Sequence, residues 1–527
     1  MTYGNGEATV TSKTDLTAPL KDRYKALAVL RENFLWRARD VARLTIPSLL
    51  PYGSSFGVGR GYGGGGTTDL DEVYSSLGAR VVTHLASKLM VAFMPPGYAF
   101  FKLGVPAKAL VREGKLNLEP KTEQQLSLIE SLIDAEVNRK QWREPTYTAL
   151  QHLIVTGNIL EQMLDDNTLK MFRLDQYCVV RTPAGRVIEI VIEEELSPYG
   201  LPEDVRAMLG SQKKEGENVF IYTCARWTQA KGKWHIYQEV EDKLIPGSDG
   251  FYEINPFNAL RWTAVIGEDY GRSKCDEHRG DFMAIEGLSK AVLDGAAMAS
   301  RNIILANPAV GNASVNRKAL ASARNGEILI GDPQGVAFLQ FGNTAGMQVA
   351  AAELERISQQ VAAAFLLQSG VTRDAERVTR EEILRNAQEL EGALGGVYST
   401  LSHDMQAARL KRLIFQMQAN DELPKWGDMI EPTIITGFEA LGRASDVGRV
   451  QQALAMLQGL PPEVLAYVNW NAILGKVFNG LGLADSVKTE EEVNAMRQQQ
   501  MAEQAAQQVA ATAGEQAVTP QDIQSVT

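Results

Sequence analysis

The apolar residues of this chain change their spacing twice, and that change limits the fold more tightly than any single motif does. Between about Ile159 and Trp262 the pattern is that of strands. LKMFRLDQYCVV and RVIEIVIEEEL flank Thr182-Pro183-Ala184-Gly185, which reads as a hairpin turn. NVFIYTCARWT and KWHIYQEVE flank a turn containing Lys and Gly and read as a second hairpin. Helical spacing surrounds this region. Upstream, Leu20, Tyr24, Leu27, Phe34, Ala38 and Val41 predict a helix that stops before Ile46-Pro47. Leu77, Val81, Leu85 and Leu89 predict another that ends at Pro95-Pro96. A third starts with a capping box at Thr122 and Gln125 and buries Leu126, Ile129, Ile133 and Val137.

From Gly271 onward, three long helices follow. The first carries Ile285, Leu288, Val292, Ala296 and Ala299, and the second Met347, Ala351, Leu354, Ile357, Val361 and Phe365. Between them lie short strands with Asn, Gly and Pro turns. The third runs through Ile383, Ala387, Leu390, Leu394, Val397, Leu401 and Met405. Its start is specified by Thr379 as N-cap, Glu382 closing the capping box, and the staple pair Val378 and Ile383. A smaller helical unit from about Glu431 to Leu483 and a Gln/Ala-rich tail complete the chain. The fold class is mixed α+β and mainly helical.

A length of 527 residues suggests roughly three or four folding units. The formal net charge is −11, so no global basic field advertises a nucleic-acid partner. The charge is uneven. From Thr489 to Thr527 the acids Glu490, Glu491, Glu492, Glu503, Glu515 and Asp522 face the single base Arg497, leaving the preceding body close to neutral. Cys178, Cys224 and Cys275 are too few and scattered for a disulfide scaffold and fit a reducing cytoplasm as small buried hydrophobes. The five histidines show no ligand spacing, so no protein-built zinc site is expected. The polar N-terminus lacks a secretory apolar core, and its first residues, 1–19, read as disordered. Val81–Phe101 is interrupted by His84, Lys88 and Pro95-Pro96, so no membrane span is expected.

Catalytic chemistry is scarce. Gly59, Gly61 and Gly64 match GxGxxG, but their flanks are not the strand and helix that a dinucleotide site needs, and a flexible loop is the better reading. No GxxxxGK[ST] occurs, which disfavours a phosphate-loop ATPase, and neither GxSxG nor HExxH occurs. Glu193-Glu194-Glu195 would point to alternate faces of a strand and reads as a solvated strand end. His84 and His152 read as core histidines within helices. Asn312-Ala313-Ser314 matches a glycosylation acceptor, which means nothing in a chain that reads as cytoplasmic. No catalytic residue, metal ligand or cofactor is assigned, and the chain is expected not to be an enzyme. The cluster that does stand out is QSGVTRDAERVTREE, residues 368–382, where Arg373, Arg377 and Arg380 alternate with Asp374, Glu376 and Glu381. It reads either as a solvated, salt-bridged connection between helices or as a loop that touches a polyanion lightly.

Nine collinear stretches carry a family resemblance: WRARDVARLTIPSLLP, LGARVVTHLASKLMVAFMPP, LIVTGNILEQM, LPEDVRAML, GEDYGRSKCDEHRGDF, ANPAV, ERVTREEIL, ELEGALGGVYSTLSHDMQ and EPTIITGFEALGRASDVGRV. None is a chemical motif. Their number and order make the chain, over roughly 20–485, similar to the portal, or head-to-tail connector, proteins of podoviruses. The glycine run at 57–66 and the tail after Glu490 fall outside the resemblance.

The resemblance implies a ring of about twelve identical subunits at one capsid vertex, and a head-to-tail interface closes into a ring when its rotation divides a full turn. It implies a wing over 20–270, stem helices over 271–301 and 345–367, and a clip over 302–342. A channel loop over 368–378 holds Arg373 and Arg377, with Arg380 just beyond it. A long wing helix over 379–420, a crown over 421–488 and an acidic tail over 489–527 follow. The implied partners are duplex DNA passing through the channel, the terminase, the major capsid and scaffolding proteins and a tail adaptor, with no membrane. The implied location is the virion, assembled in the host bacterial cytoplasm. Another phage structural component (scaffold, tail adaptor or core protein) and a DNA-packaging enzyme are the alternatives. The long β-rich region argues against the scaffold, and the absent phosphate loop against the enzyme.

Overall fold

The structure is a computed structural model that describes residues 19–51, 73–95, 100–104, 120–196, 201–209, 219–299, 303–306, 336–339, 344–367, 389–390, 392–394, 396–426 and 430–434. The chain divides into two compact units, one drawn from 1–90, 142–373 and 393–397, the other from 91–141, 374–392 and 398–527.

In the first unit, α1 (Leu20–Leu44) buries Leu20, Tyr24, Leu27, Leu35, Ala38 and Val41 along one stripe. Thr45 ends it, its hydroxyl donating to the Val41 carbonyl at 2.9 Å, and a short 3-10 turn, Pro47–Leu49, follows as the proline requires. The helix α2 (Leu77–Phe93) buries Val81, Leu85 and Leu89. Then come α3 (Arg143–Thr156) and the strands β1 (Asn158–Met163), β2 (Leu169–Phe172), β3 (Tyr177–Arg181) and β4 (Val187–Leu196). A short helix α4 (Glu203–Met208) precedes β5 (Val219–Thr228), β6 (Lys233–Val240), β7 (Lys243–Leu244), β8 (Gly250–Tyr252) and β9 (Phe257–Arg261).

A six-stranded antiparallel sheet has the order β3-β4-β5-β6-β7, with β8 also on β6. Both of its faces are covered, which is why Ile190, Val191 and Ile192 are buried in succession. Leu20, Tyr24 and Leu27 of α1 pack on Cys178, Val191, Tyr222 and Cys224. Leu201, Val205 and Leu209, at α4, pack with Val219, Ile221, Val240 and Ile245. Glu189, 5% exposed, pins α1 to this sheet by accepting from Arg23 and Arg226.

Both expected hairpins form, but LKMFRLDQYCVV is not one strand. Residues 169–172 pair with β1 in a separate three-stranded sheet, β9-β1-β2, while 177–181 begin the six-stranded one. The chain turns between them because the Gln176 side chain accepts from the Arg173 amide at 2.8 Å and the Arg173 carbonyl accepts from the Gln176 amide at 2.9 Å. Alternating apolar spacing runs straight through this turn and conceals it.

Further on, α5 (Lys274–Glu277) leads into α6 (Arg279–Ala299). The strands β10 (Ile303–Ala306) and β11 (Val336–Leu339) pair antiparallel and close the base of the insert, whose remainder lies outside the described residues. The helix α7 (Thr344–Ala364) returns alongside α6. The Phe282 and Phe365 rings meet at 5.8 Å near one end of the pair. At the other end, a Cβ on Gly295 would stand 2.7 Å from Met347 Sδ, so the two helices approach closely there. Ile285, Ile357, Val361 and Phe365 are buried, whereas Ala296 and Ala351 are exposed, against the expected stripe.

The second unit holds a helix, Pro120–Arg139, that buries Leu126, Ile133 and Val137. It starts two residues before Thr122, so Thr122 lies inside the first turn rather than capping it; proline at the first helical position needs no amide partner. The strand Phe101–Gly104 pairs with Glu431–Ile434, so the stretch expected to open a helical unit begins as a strand. The helical segments Val397–Leu401 and Ala408–Ala419 are joined by a π-helical turn, Ser402–Ala407. Leu390, Leu394, Leu401 and Met405 are buried as expected, but the helix is not continuous: Gly396 has φ +85° and the π turn shifts the phase. Thr379, Glu382, Val378 and Ile383 lie outside the described residues, as does nearly all of 421–488 after Ile434.

Candidate functional site

Three of the quoted stretches, far apart in sequence, meet where α6 begins. Gly157 ends α3 with φ +75°, a left-handed conformation that glycine adopts without strain. A Cβ there would lie 2.7 Å from both Arg272 C and Ser273 N, so the position also needs close backbone approach. Beside it, Asn158 uses its carboxamide as a substitute strand edge. Its Nδ2 donates to the Gly271 carbonyl at 2.9 Å, and its Oδ1 accepts from the Gly271 amide at 2.7 Å. Thr263 and Arg272 exchange backbone hydrogen bonds in the next register position.

Ser273 caps α5, its hydroxyl accepting from the Asp276 amide at 2.8 Å. That cap orients Asp276, whose carboxylate takes a two-pronged contact from Arg37 of α1, with Nη2 at 2.9 and 3.0 Å from its two oxygens. A second ion pair runs from Arg279 Nε to Asp40 at 2.5 Å. Arg279 also lies over the Trp36 ring and Arg272 over the Phe34 ring. His278 and Phe282 then pack on Phe365, and His84 Nε2 contacts the Leu366 carbonyl at 3.0 Å. Glu286 accepts from the Tyr74 and Ser75 amides at 2.9 and 3.3 Å. The start of α6 is thereby fixed to α1, to β1 and to the end of α7.

The joint is built to hold, not to react. Arg37, Asp276, Arg279 and Asp40 satisfy one another. Burial pushes the Cys178 thiol up to about 11 and Cys224 to about 12, and lifts Cys275 well above its ordinary value, so none is a ready nucleophile. Among the described residues no group of His, Cys, Asp and Glu could hold a metal ion. Along the paired helices acids outnumber bases, five to three. Asp281, Glu286 and Asp294 stand with Arg279 and Lys290 on α6, and Glu353 and Glu355 with Arg356 on α7.

Arg373, Arg377 and Arg380 lie outside the described residues, as do Gly59, Gly61, Gly64 and the tail after Glu490. The three glutamates at 193–195 are half-buried rather than solvated. Glu193 accepts from the Tyr222 hydroxyl at 2.7 Å and Glu194 pairs with Lys170. His84 and His152 sit in helices as expected, His152 buried. Sequence reasoning singled out none of Arg37, Gly157, Asn158, Gly271 or Asp276 as individual residues. Their signal lay only in the stretches WRARDVARLTIPSLLP, LIVTGNILEQM and GEDYGRSKCDEHRGDF.

Comparison with known proteins bears on this arrangement. A family model described as bacteriophage head to tail connecting protein matches residues 17–487. The portal protein of Enterobacteria phage T3 is 34% identical over 515 residues, covering 94% of this chain and 92% of the relative. That of Escherichia phage T7 is 33% identical over 504 residues, covering 92% and 90%. The portal protein of Pseudomonas phage phiKMV is 27% identical over 497 residues, covering 90% and 93%. Among solved structures, a chain in the neck of an empty gene transfer agent particle superposes with a TM-score of 0.35 at 14% identity, over 74% of this chain and 91% of that one.

Proposed function

Because the chain belongs to the family of bacteriophage head-to-tail connecting proteins, we propose that it serves as the portal at one capsid vertex of a short-tailed phage, the conduit for DNA packaging and ejection. The observation that carries this reading is the match along nearly the whole chain to portal proteins, at 34% and 33% identity for the first two. The chain is a structural component of the virion rather than an enzyme, and its working form is a closed ring of about twelve copies. Residues 271–301 and 345–367 line the channel, with the loop at 368–378 reaching the DNA. The insert at 302–342 is the clip, which meets the terminase during packaging and the tail adaptor afterwards. The wing, 20–270 with 379–420, meets the major capsid and scaffolding proteins, and the crown at 421–488 faces the capsid interior. Assembly takes place in the host bacterial cytoplasm. Among the described residues no helix is long and apolar enough to cross a membrane.

Two physical features support the channel role. Duplex DNA carries about one negative charge per 1.7 Å, and a densely basic wall would hold it in place. The excess of acids over bases on α6 and α7 gives it little to grip. The ion pairs at the base of α6 anchor that helix against load along its axis. Negative-stain images of the purified protein test the reading, with rings around a central hole as the expected result. Monomers alone, across a wide range of protein and salt concentration, would overturn it.

A further inference from the structure

The helix α7 ends where its own sequence gives no reason to stop. Leu366, Leu367 and Gln368 are all good helix formers, and the next glycine is Gly370. The helix nevertheless closes at Ala364, and the chain enters the left-handed region at Leu366, with φ +60°. The closure is a paired one. The Leu367 amide donates back to the Ala362 carbonyl at 2.8 Å, and the Leu366 amide to the Ala363 carbonyl at 3.1 Å. Glycine is the usual occupant of the left-handed position in such an end. Among the described residues with positive φ that are not glycine, Leu366 is the one apolar side chain; the others are Gln141, Asn167, Glu241, Asp242 and Asp421. A leucine in this conformation is strained, because its Cβ crowds the following carbonyl.

Strain of this kind persists only where the surroundings over-determine the conformation. Two contacts flanking Leu366 do so. Phe365, fully buried, packs on His278 and Phe282 of α6, with ring centroids at 5.5 and 5.8 Å. From α2, His84 brings Nε2 to 3.0 Å from the Leu366 carbonyl, across 282 residues of sequence. A carbonyl only accepts, so Nε2 is the nitrogen that carries the hydrogen. The entrance to α2 is itself held to α6, where Glu286 accepts from the Tyr74 and Ser75 amides. His84 is therefore fixed relative to the same helix that seats Phe365.

We propose that His84 is a positioning residue: its ring holds the strained turn at Leu366 and so sets the residue at which α7 ends and the channel loop begins. The loop assignment rests on the portal reading above, whereas the turn and its hold do not. Hydrogen–deuterium exchange on the purified full-length protein tests the hold, read at the Leu366 and Leu367 amides. His84→Leu should speed their exchange roughly fivefold, the factor that corresponds to one lost hydrogen bond. His84→Gln, which keeps an N–H donor, should stay closer to the wild type. Leu366→Gly removes the strain, so it should slow exchange in the otherwise unchanged chain and restore protection in the His84→Leu background. A general loss of packing at His84 would not be rescued in this way. Exchange unchanged by His84→Leu, or protection lowered by Leu366→Gly alone, overturns the proposal, and the second arm decides it even where His84→Leu does not fold. DNA content of assembled heads separates the two readings: His84→Leu should lower it and Leu366→Gly in the same chain should recover it. Normal DNA content beside faster, rescued exchange leaves the hold in place and overturns its link to the channel.

Discussion

His152 lies in α3, is 4% exposed, and its Nδ1 has no hydrogen-bond partner among the described residues. Burial, with the positive charge of Arg173 adding to it, lowers its pKa from 6.5 to about 4. The folded chain thus keeps a neutral imidazole at a pH where the unfolded chain already binds a proton. Its contribution to stability is undiminished above 6.5 and declines as the pH falls from there towards 4. By about pH 5 the loss amounts to about 2 kcal/mol. Urea midpoints of the wild type and His152→Leu at neutral pH and near pH 5 check this, and the variant should lose markedly less than the wild type. Equal pH sensitivity in the two would show that His152 does not carry the effect. Glu189 works in the opposite sense and in a lower window. Burial would raise its carboxyl, but hydrogen bonds from Arg23 and Arg226 outweigh that and hold it below 4.5. Its stabilisation is present above the ordinary glutamate range and is lost only as the pH falls through its lowered value. The sequence placed His152 on a helix and suggested a core role; how deeply it is buried depends on the strands packed around it.

At the scale of the element, the joint at the start of α6 depends on Gly157 more than on any one ion pair. Gly157→Ala combines a left-handed backbone with a Cβ 2.7 Å from the Arg272 and Ser273 backbone, where no flexible side chain can yield. The expected loss is roughly 3 kcal/mol. Gly232, at the second hairpin, also has positive φ, +61°, but nothing lies within 4 Å of an added Cβ. Gly232→Ala should therefore cost only about 1 kcal/mol. Thermal melts of the two variants separate backbone strain from close approach, and equal losses would mean that the joint tolerates a local shift. The second hairpin was readable in the sequence because Lys231-Gly232 interrupts two alternating runs. The joint was not, because nothing in LIVTGNILEQM says that its Gly and Asn face Gly271.

For the whole molecule, the sharpest expectation concerns the loop at 368–378. On the proposed reading, Arg373 and Arg377 would recur once per subunit and would form circles of positive charge around the DNA. Exposed single charges contribute little to stability, so replacing both with Glu should leave rings and thermal stability nearly unchanged. Packaged DNA should fall, because the channel would then set like charges against phosphates in confinement. Imaging of the rings, with DNA content measured in assembled heads, checks it. Normal rings with a normal DNA content would make the loop a passive connector.

Local order is what the sequence determined by itself. The switch from helical to alternating spacing separated the strands from the helices. Prolines ended α1 and α2 close to where the spacing said they would, and the turn residues marked both hairpins. Each of these depends on neighbours a few residues apart, so each is written in a short window. Tertiary structure alone decided what those elements pack against. It sent residues 169–172 and 177–181 to different sheets, although one alternating pattern covers both. It joined Asn158 to Gly271 across 113 residues and Arg37 to Asp276 across 239. It also left Leu293 and Val349 exposed, although Ile285, Ile357 and Val361 on the same two helices are buried. Periodicity tells which side of an element is apolar, but the surface that will cover it is supplied from elsewhere in the chain.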